Sequence, residues 1–341
     1  MSGIKDVAAV AGVSTATVSR VLNDSTRVSD TTRATVLAAA RQLEFVPSYS
    51  AASLASGRHR NIAVIVPSVS RWYFSQVIDA IAASLLEAGY DLTLYNLSDG
   101  TGHRDRVLSE FIFRQRCDGV ITVALELQEH ELAQLLAVRK PVVGIGGPLD
   151  GAVTIGVDDR EIATLATEHL ISLGHRRIAM LGGSEECGND FRVAAQRRRG
   201  YEEAMSAAGL ETHASWHAAA DFTIPGGLAA GRKLLGYPRA RPTAVFCASD
   251  EMAIGLILAA RELGLRIPEE LSVIGIDGHD LGESFGLTTV AQFPGAQSRL
   301  AVDRLLALLG EPEPERIEDP HQLAATALTI RHSTAAVQTA P

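Results

Sequence analysis

Residues 14–22 read STATVSRVL, and a helix would sort them by chemistry. At about 100° per residue Val18, Val21 and Leu22 fall at i, i+3 and i+4 on one apolar face, while Thr15, Ala16, Ser19 and Arg20 share the other. Short side chains let such a face approach base edges, and an arginine there can bond a guanine bidentately. A generic helical hairpin carries the same pattern, so the pattern alone leaves both readings open. Other chemistries lack their residues. Cys117, Cys187 and Cys247 are odd in number, far apart and set in apolar runs such as AVFCAS, with no CxxC or Cys/His cluster, which reads as reduced core thiols and no zinc. The glycine strings GIGGP and GGS form neither GxGxxG nor GxxxxGK[ST] at a strand-to-helix turn and read as turn glycines. With no GxSxG elbow and no His/Asp/Ser set at catalytic spacing, neither an enzyme nor a cofactor is expected.

The reading helix needs a scaffold, and the flanking sequence supplies one. Ile4 to Ala11 predicts a first helix, Gly12 and Val13 a tight turn, and Ser14 an N-cap for the second helix, which runs to Asn23. A third helix is signalled by Ser29 as N-cap and by Val36, Ala40 and Leu43, and it ends before Pro47. Residues 1–60 hold seven basic and four acidic groups, +3, against a total of −9, which leaves −12 for the rest. A mildly basic head on an acidic body suits contact with phosphates at one end only. At 341 residues, 46% hydrophobic and 21% charged, the chain has ordinary globular composition and more length than one core serves, so two or three folding units are expected.

The string IKDVAAVAGVSTATVSRVLND, followed by VSDTTRATVLAAARQLEFVPS, resembles the headpiece of the LacI/GalR (lactose-repressor) family, whose signature is a DVA-x-x-AGVS-x-x-TVSRVLN run. The resemblance implies a helix-turn-helix head that binds operator DNA. It puts Thr15, Ala16 and Arg20 at base-reading positions, with Ser14 and Ser19 as further DNA contacts. After Pro47 comes SYSAASLASGR, too short for a stable isolated helix and, on its own, a linker. In the family this segment is a hinge that orders on the operator and wedges a leucine into the minor groove. Leu54 stands at that place.

From residue 61 strand-like runs alternate with helical ones. They are NIAVIVP, a helix near Phe74 to Ala88, DLTLYN, a helix near Arg104 to Arg114, GVITVA, a helix near Gln128 to Val138, and PVVGIG. The pattern restarts after Asp158 with a helix to Ser172, RRIAMLG, helices near Val193 to Ala208 and Pro225 to Leu235, TAVFCAS, a helix near Glu251 to Leu263, and LSVIGID. Such alternation predicts an α/β body of parallel sheets flanked by helices, and the restart predicts two lobes. Ligands of open parallel sheets sit beyond the carboxyl ends of the strands, which points to the cleft between the lobes.

The family resemblance continues through DDREIATLATEHLISLGHRRIAMLGG, RRRGYEEAM, CASDEMAIGLILAARELGLRIPEELSVIGIDG and LTTVAQ. It implies a two-lobed, periplasmic-binding-protein-like body that binds a small effector. Its effector positions map onto Tyr73, Phe74, Arg197, Phe222 and Asp277, and further onto Ser249, Asp250 and Gln292. Phe74 and Phe222 would sandwich a sugar ring, while Arg197 and Asp277 bond hydroxyls from opposite sides; a purine-like ligand stacking on the two rings is the alternative. Where many relatives carry Asn-Pro-Phe this chain has SVSRWYF, so Arg71 and Trp72 are expected to narrow or extend the pocket. The divisions expected are a head at 1–46, a hinge at 47–60 and a body at 61–341. Within the body the N-lobe takes about 61–160 and 293–321, and the C-lobe about 161–292 and 322–341. Paired heads predict a homodimer on a near-palindromic site, and HSTAAVQTAP at the C-terminus offers no leucine heptads for a tetramer. No signal peptide or membrane span is read, so a cytoplasmic place is expected, against the rival reading of a periplasmic sugar-binding protein.

Overall fold

The computed structural model describes residues 3–22, 28–45, 58–97, 103–112, 116–183, 191–310 and 320–337. Leu54, Cys187 and most of the expected hinge lie outside the described residues. The chain divides into two units, Met1–Arg60 and Asn61–Pro341.

Among the described residues the first unit shows three helices, α1 (Ile4–Ala11), α2 (Thr15–Leu22) and α3 (Asp30–Gln42). Gly12 ends α1 in the left-handed region at φ 66°, where its N–H meets the last carbonyls of the helix at no side-chain cost. Ser14 Oγ then accepts from the Thr17 N–H at 3.2 Å, and Ser29 Oγ from the Thr32 N–H at 3.4 Å, so both predicted N-caps start their helices. Val7, Val18, Val21 and Val36 close the core.

The second unit holds two six-stranded sheets. One runs in the order β11-β5-β4-β3-β1-β2, all parallel, built from β1 (Asn61–Val66), β2 (Asp91–Asn96), β3 (Gly119–Val123), β4 (Val142–Ile145), β5 (Val153–Gly156) and β11 (His321–Leu323). The other runs β12-β10-β9-β8-β6-β7, from β6 (Ile178–Gly183), β7 (His217–Ala220), β8 (Ala244–Cys247), β9 (Ser272–Asp277), β10 (Thr288–Ala291) and β12 (Ala327–Thr329), with β12 alone antiparallel. The central strands are buried along their length, as parallel strands covered on both faces must be.

Helices α4 (Trp72–Glu87), α5 (His103–Arg106, continuing as a π turn over Val107–Phe111) and α6 (Glu129–Ala137) follow strands of the first sheet. Helices α7 (Asp159–Ser172), α8 (Phe191–Ala207), α9 (Ile224–Leu235), α10 (Asp250–Glu262) and the short α11 (Gly282–Phe285) belong to the second. The chain returns through α12 (Pro294–Gly310), whose Ser298 Oγ donates to the Val77 carbonyl of α4 at 3.2 Å. It therefore crosses between lobes three times. The third crossing, expected after residue 321, falls after Leu323, because HQL pairs along the edge of β5 before the chain leaves. The helix expected over Arg104 to Arg114 is instead one α turn that widens into the π turn.

Helices α7 and α8 lie unusually close. A Cβ on Gly200 would overlap the Arg160 carbonyl and stand 3.0 Å from the Ala163 side chain, so only glycine lets α8 settle on α7. Gly200→Ala is expected to lower stability by about 1–3 kcal/mol through overpacking, while Gly310→Ala, which meets nothing within 4 Å, leaves it unchanged. Urea unfolding of the two variants measures the difference; equal midpoints would mean that the helices part without cost.

Candidate functional site

The close packing at Gly200 puts Arg197 of α8 beside the N-terminus of α7. Arg197 is 5% exposed; its Nε donates to Asp159 Oδ1 at 2.8 Å, and its Nη1 donates to the Ala248 carbonyl and lies 3.9 Å from Asp277 Oδ1. One guanidinium thus serves two carboxyls and the end of β8. Gln292, just beyond β10, donates from Nε2 to Asp277 Oδ1 at 2.7 Å. Burial pushes the Asp159 carboxyl up against the pull of Arg197. Asp277 is pushed up to about 8 by burial, again against Arg197 and with the charge of Asp250 adding to the rise.

These groups face one cleft between the two lobes, the kind of place where small-molecule sites form. Tyr73, Phe74, Arg197, Phe222, Ser249, Asp277 and Gln292 all line it, so seven of the eight candidate effector residues come together from both lobes. The backbone is strained at two of them. Phe222 sits at φ 61° and Asp277 at φ 134°, conformations that L-residues rarely adopt and that the surrounding packing must hold.

Asp250 is the exception. It is fully buried and does not reach the cavity; its Oδ2 accepts from the Gly278 N–H at 2.9 Å, the His279 N–H at 2.8 Å and Thr289 Oγ1 at 2.9 Å. It therefore braces the turn that follows Asp277 and touches no ligand space. Its Oδ1 has no hydrogen-bond partner among the described residues and lies where a Cβ on Gly275 would be. Burial pushes this carboxyl up to about 6, restrained by the N–H groups it accepts from.

Of the cavity residues that sequence reading misses in whole or part, three are charged. Asp159 and Glu251 line the pocket without having been singled out, and Arg71, expected only as bulk, projects its guanidinium over both rings, 4.9 Å from the Phe74 centroid and 5.4 Å from that of Phe222. The two rings therefore flank a cation as well as ligand space. The Asp158–Asp159 doublet opening α7 was the available signal: Asp158 Oδ1 caps the helix, accepting from Arg160 and Glu161 N–H at 3.0 Å, and leaves Asp159 for Arg197.

In the head, Ser14, Thr15, Ala16 and Arg20 are exposed on α2 and Ser19 is half-buried beside them. Cys117 and Cys247 are buried, and burial raises both thiols. Among the described residues no group of three or more His, Cys, Asp or Glu is placed to hold a metal ion, and no helix is long and apolar enough to cross a membrane.

A helix-turn-helix head followed by a two-lobed body with one polar, aromatic-walled cleft defines a DNA-binding regulator with a ligand-sensing body. Residues 3–48 match the family described as bacterial regulatory proteins, lacI family, and residues 167–334 match the periplasmic binding protein-like domain. The chain is 35% identical over 323 residues to the HTH-type transcriptional repressor PurR of Vibrio cholerae, covering 93% of this chain and 94% of that one. It is 33% identical over 317 residues to the ribose operon repressor of Escherichia coli, covering 92% and 94%. Among solved structures it is similar to the lac repressor dimer bound to operator and the anti-inducer ONPF, with a TM-score of 0.84, 27% identity and coverage of 98% and 99%. It is also similar to a LacI family regulator from Enterococcus faecium with bound ribose, with a TM-score of 0.72, 26% identity and coverage of 82% and 100%. The chain belongs to the LacI family of bacterial transcriptional regulators.

Asp277 gives a pH test of the site without any ligand. Its folded value near 8 stands above an unfolded value of about 3.9, so between these the folded chain keeps a proton that the unfolded chain has lost. Through this group stability is full below the unfolded value and falls as pH rises toward 8. Asp277→Asn, which copies the protonated form, is expected to flatten the fall in melting temperature between pH 6 and 8 and to melt higher than the parent at pH 8. Identical pH profiles for the two proteins would show that Asp277 titrates normally.

Proposed function

We propose that this chain is a cytoplasmic, homodimeric repressor that reads a near-palindromic operator through α2 and releases or tightens it when a small sugar enters the cleft. The head is taken as 1–46, the hinge as 47–60 and the body as 61–341. The observation that carries the reading is the meeting of two phenyl rings with the Arg197–Asp277 pair in one interlobe cavity. Flat apolar faces of a sugar ring suit the phenyls, and its hydroxyls suit a guanidinium and carboxyl fixed side by side, 3.9 Å apart. Tyr73, Ser249 and Gln292 complete the wall, and Asp250 positions the Asp277 turn. Similarity to the ribose operon repressor and to the ribose-bound regulator favours a sugar. A purine-like base is the second reading, favoured by the Phe74 and Phe222 rings in the same cavity, on which a flat base would stack.

The site is read as one for binding and not for turnover. Arg197 is already committed to Asp159, Ala248 and Asp277, which leaves the cluster set to hold a ligand and not to move its protons. On DNA, Thr15, Ala16 and Arg20 are assigned to base edges, Ser14 and Ser19 to further contacts, and Leu54 to the minor groove.

A thermal-shift panel of free sugars, sugar phosphates and nucleobases identifies the effector, since a ligand at 100 times its Kd stabilises by about 2.7 kcal/mol. With the ligand found, Asp277→Asn and Phe222→Ala are each expected to lower its affinity at least tenfold by calorimetry, a loss of about 1.4 kcal/mol or more. Near-parental affinity in both would move the site elsewhere. On the DNA side, Arg20→Ala is expected to relax preference at one symmetric base pair by about 1–3 kcal/mol in a binding-site selection, and Leu54→Ala to weaken operator binding while leaving ligand affinity intact. Unchanged base preference in Arg20→Ala would remove Arg20 from the reading face.

A further inference from the structure

Two consecutive residues at the start of α4 leave the first lobe and take hold of the second. The Trp72 indole stacks on the His279 imidazole, with centroids 4.7 Å apart and planes 22° from parallel, and its Nε1 donates to Asp280 Oδ2 at 3.0 Å. Arg71 reaches a different loop, with Nη1 3.5 Å from the Asp221 carbonyl and its guanidinium over the Phe222 ring.

The far partners are themselves fixed. His279 and Gly278 donate their N–H groups to buried Asp250, and His279 Nδ1 accepts from the Leu281 N–H at 3.0 Å, so the ring facing Trp72 is locked in place. That turn begins at Asp277, the carboxyl that faces the cavity. A contact at 279–280 is therefore rigidly connected to the ligand-facing group two residues earlier. Phe222, with its strained backbone, is the corresponding ligand-facing group beside Asp221.

We propose that Trp72, assisted by Arg71, is a positioning residue of the cleft: it ties the two lobes together through His279 and Asp280 and so sets the separation of Asp277 and Phe222 from Phe74. The meaning of this tie for the effector rests on the reading of the cleft given above; the tie itself joins side chains of this chain alone. An aromatic stack with a charge-assisted hydrogen bond is directional, so it fixes a separation, which the nonspecific burial of a few apolar atoms would not. A body tied in this way has part of its lobe separation fixed by its own side chains, and a ligand gains what it need not spend on ordering the cleft.

The test uses the full chain without ligand. Nitroxides at Glu129→Cys in the first lobe and Lys233→Cys in the second, both exposed positions remote in sequence from the tie, report lobe separation by pulsed electron spin resonance, with the three native cysteines replaced by alanine and labelled chains diluted in unlabelled ones. Trp72→Ala is expected to move the distance distribution to longer values and broaden it. Asp280→Ala, which keeps the stack and loses the hydrogen bond, should shift it in the same direction by less, and Trp72→Phe should recover most of the parental distribution. Should Trp72→Ala fail to fold, Asp280→Ala with Trp72→Phe carries the same comparison. A parental distribution in Trp72→Ala, or in both other variants where only those fold, overturns the proposal. Because no ligand is present, that failure is distinct from failure of the effector reading, which the ligand panel decides.

Discussion

The body is organised around one buried guanidinium. Arg197 is almost wholly removed from water, and a cation in that position is tolerable only if carboxyls and carbonyls replace its hydration. Asp159 from the start of α7, the Ala248 carbonyl from the end of β8 and Asp277 from the end of β9 do so together. Each partner sits at the carboxyl end of a strand or the N-terminus of a helix, where a parallel α/β lobe gathers its loops. The glycine at 200 follows from the same demand, because α8 must approach α7 closely for Arg197 to reach Asp159.

A second buried layer keeps the first in place. Asp250 exposes nothing to the cavity, yet by accepting from two successive N–H groups and a threonine hydroxyl it fixes the 277–279 turn and sustains the strained backbone of Asp277. Burial raises both carboxyls, and the charge of Asp250 adds to the rise at Asp277.

Much of this was legible before any coordinates. The head was readable because its helices carry explicit stops and caps: Gly12, Ser14 and Ser29 each do the job their type predicts. The alternation of long apolar runs with helical segments announced the two sheets. It could not announce VTIG, HAAA, TTVA, HQL or ALT, since three or four residues are too few to show a period and these strands are specified by their neighbours in the sheet. Helix α12 likewise passed unnamed as an element. At the site, residue type and family position point to Arg197, Asp277 and both phenylalanines, which line one cavity. They could not separate Asp250, which braces, from Ser249, which faces the cavity, because the two are adjacent in sequence and differ only in the direction of a side chain. Arg71 and Trp72 were noticed as departures, but their partners lie about 150 and 208 residues away, at a distance no local pattern spans.

The dependence of the cleft on Arg197 is open to a direct measurement that needs neither effector nor operator. Removing the cation alone, in Arg197→Met, should destabilise the body strongly, by about 3–5 kcal/mol in urea unfolding at a pH above 8, where ionised carboxyls at Asp159 and Asp277 are left buried without compensation. Adding Asp159→Asn and Asp277→Asn to the same chain removes what the guanidinium was there to balance, and most of that loss should return. A triple variant no more stable than Arg197→Met alone would contradict the central claim, and would mean that the arginine holds the lobe by packing and not by charge.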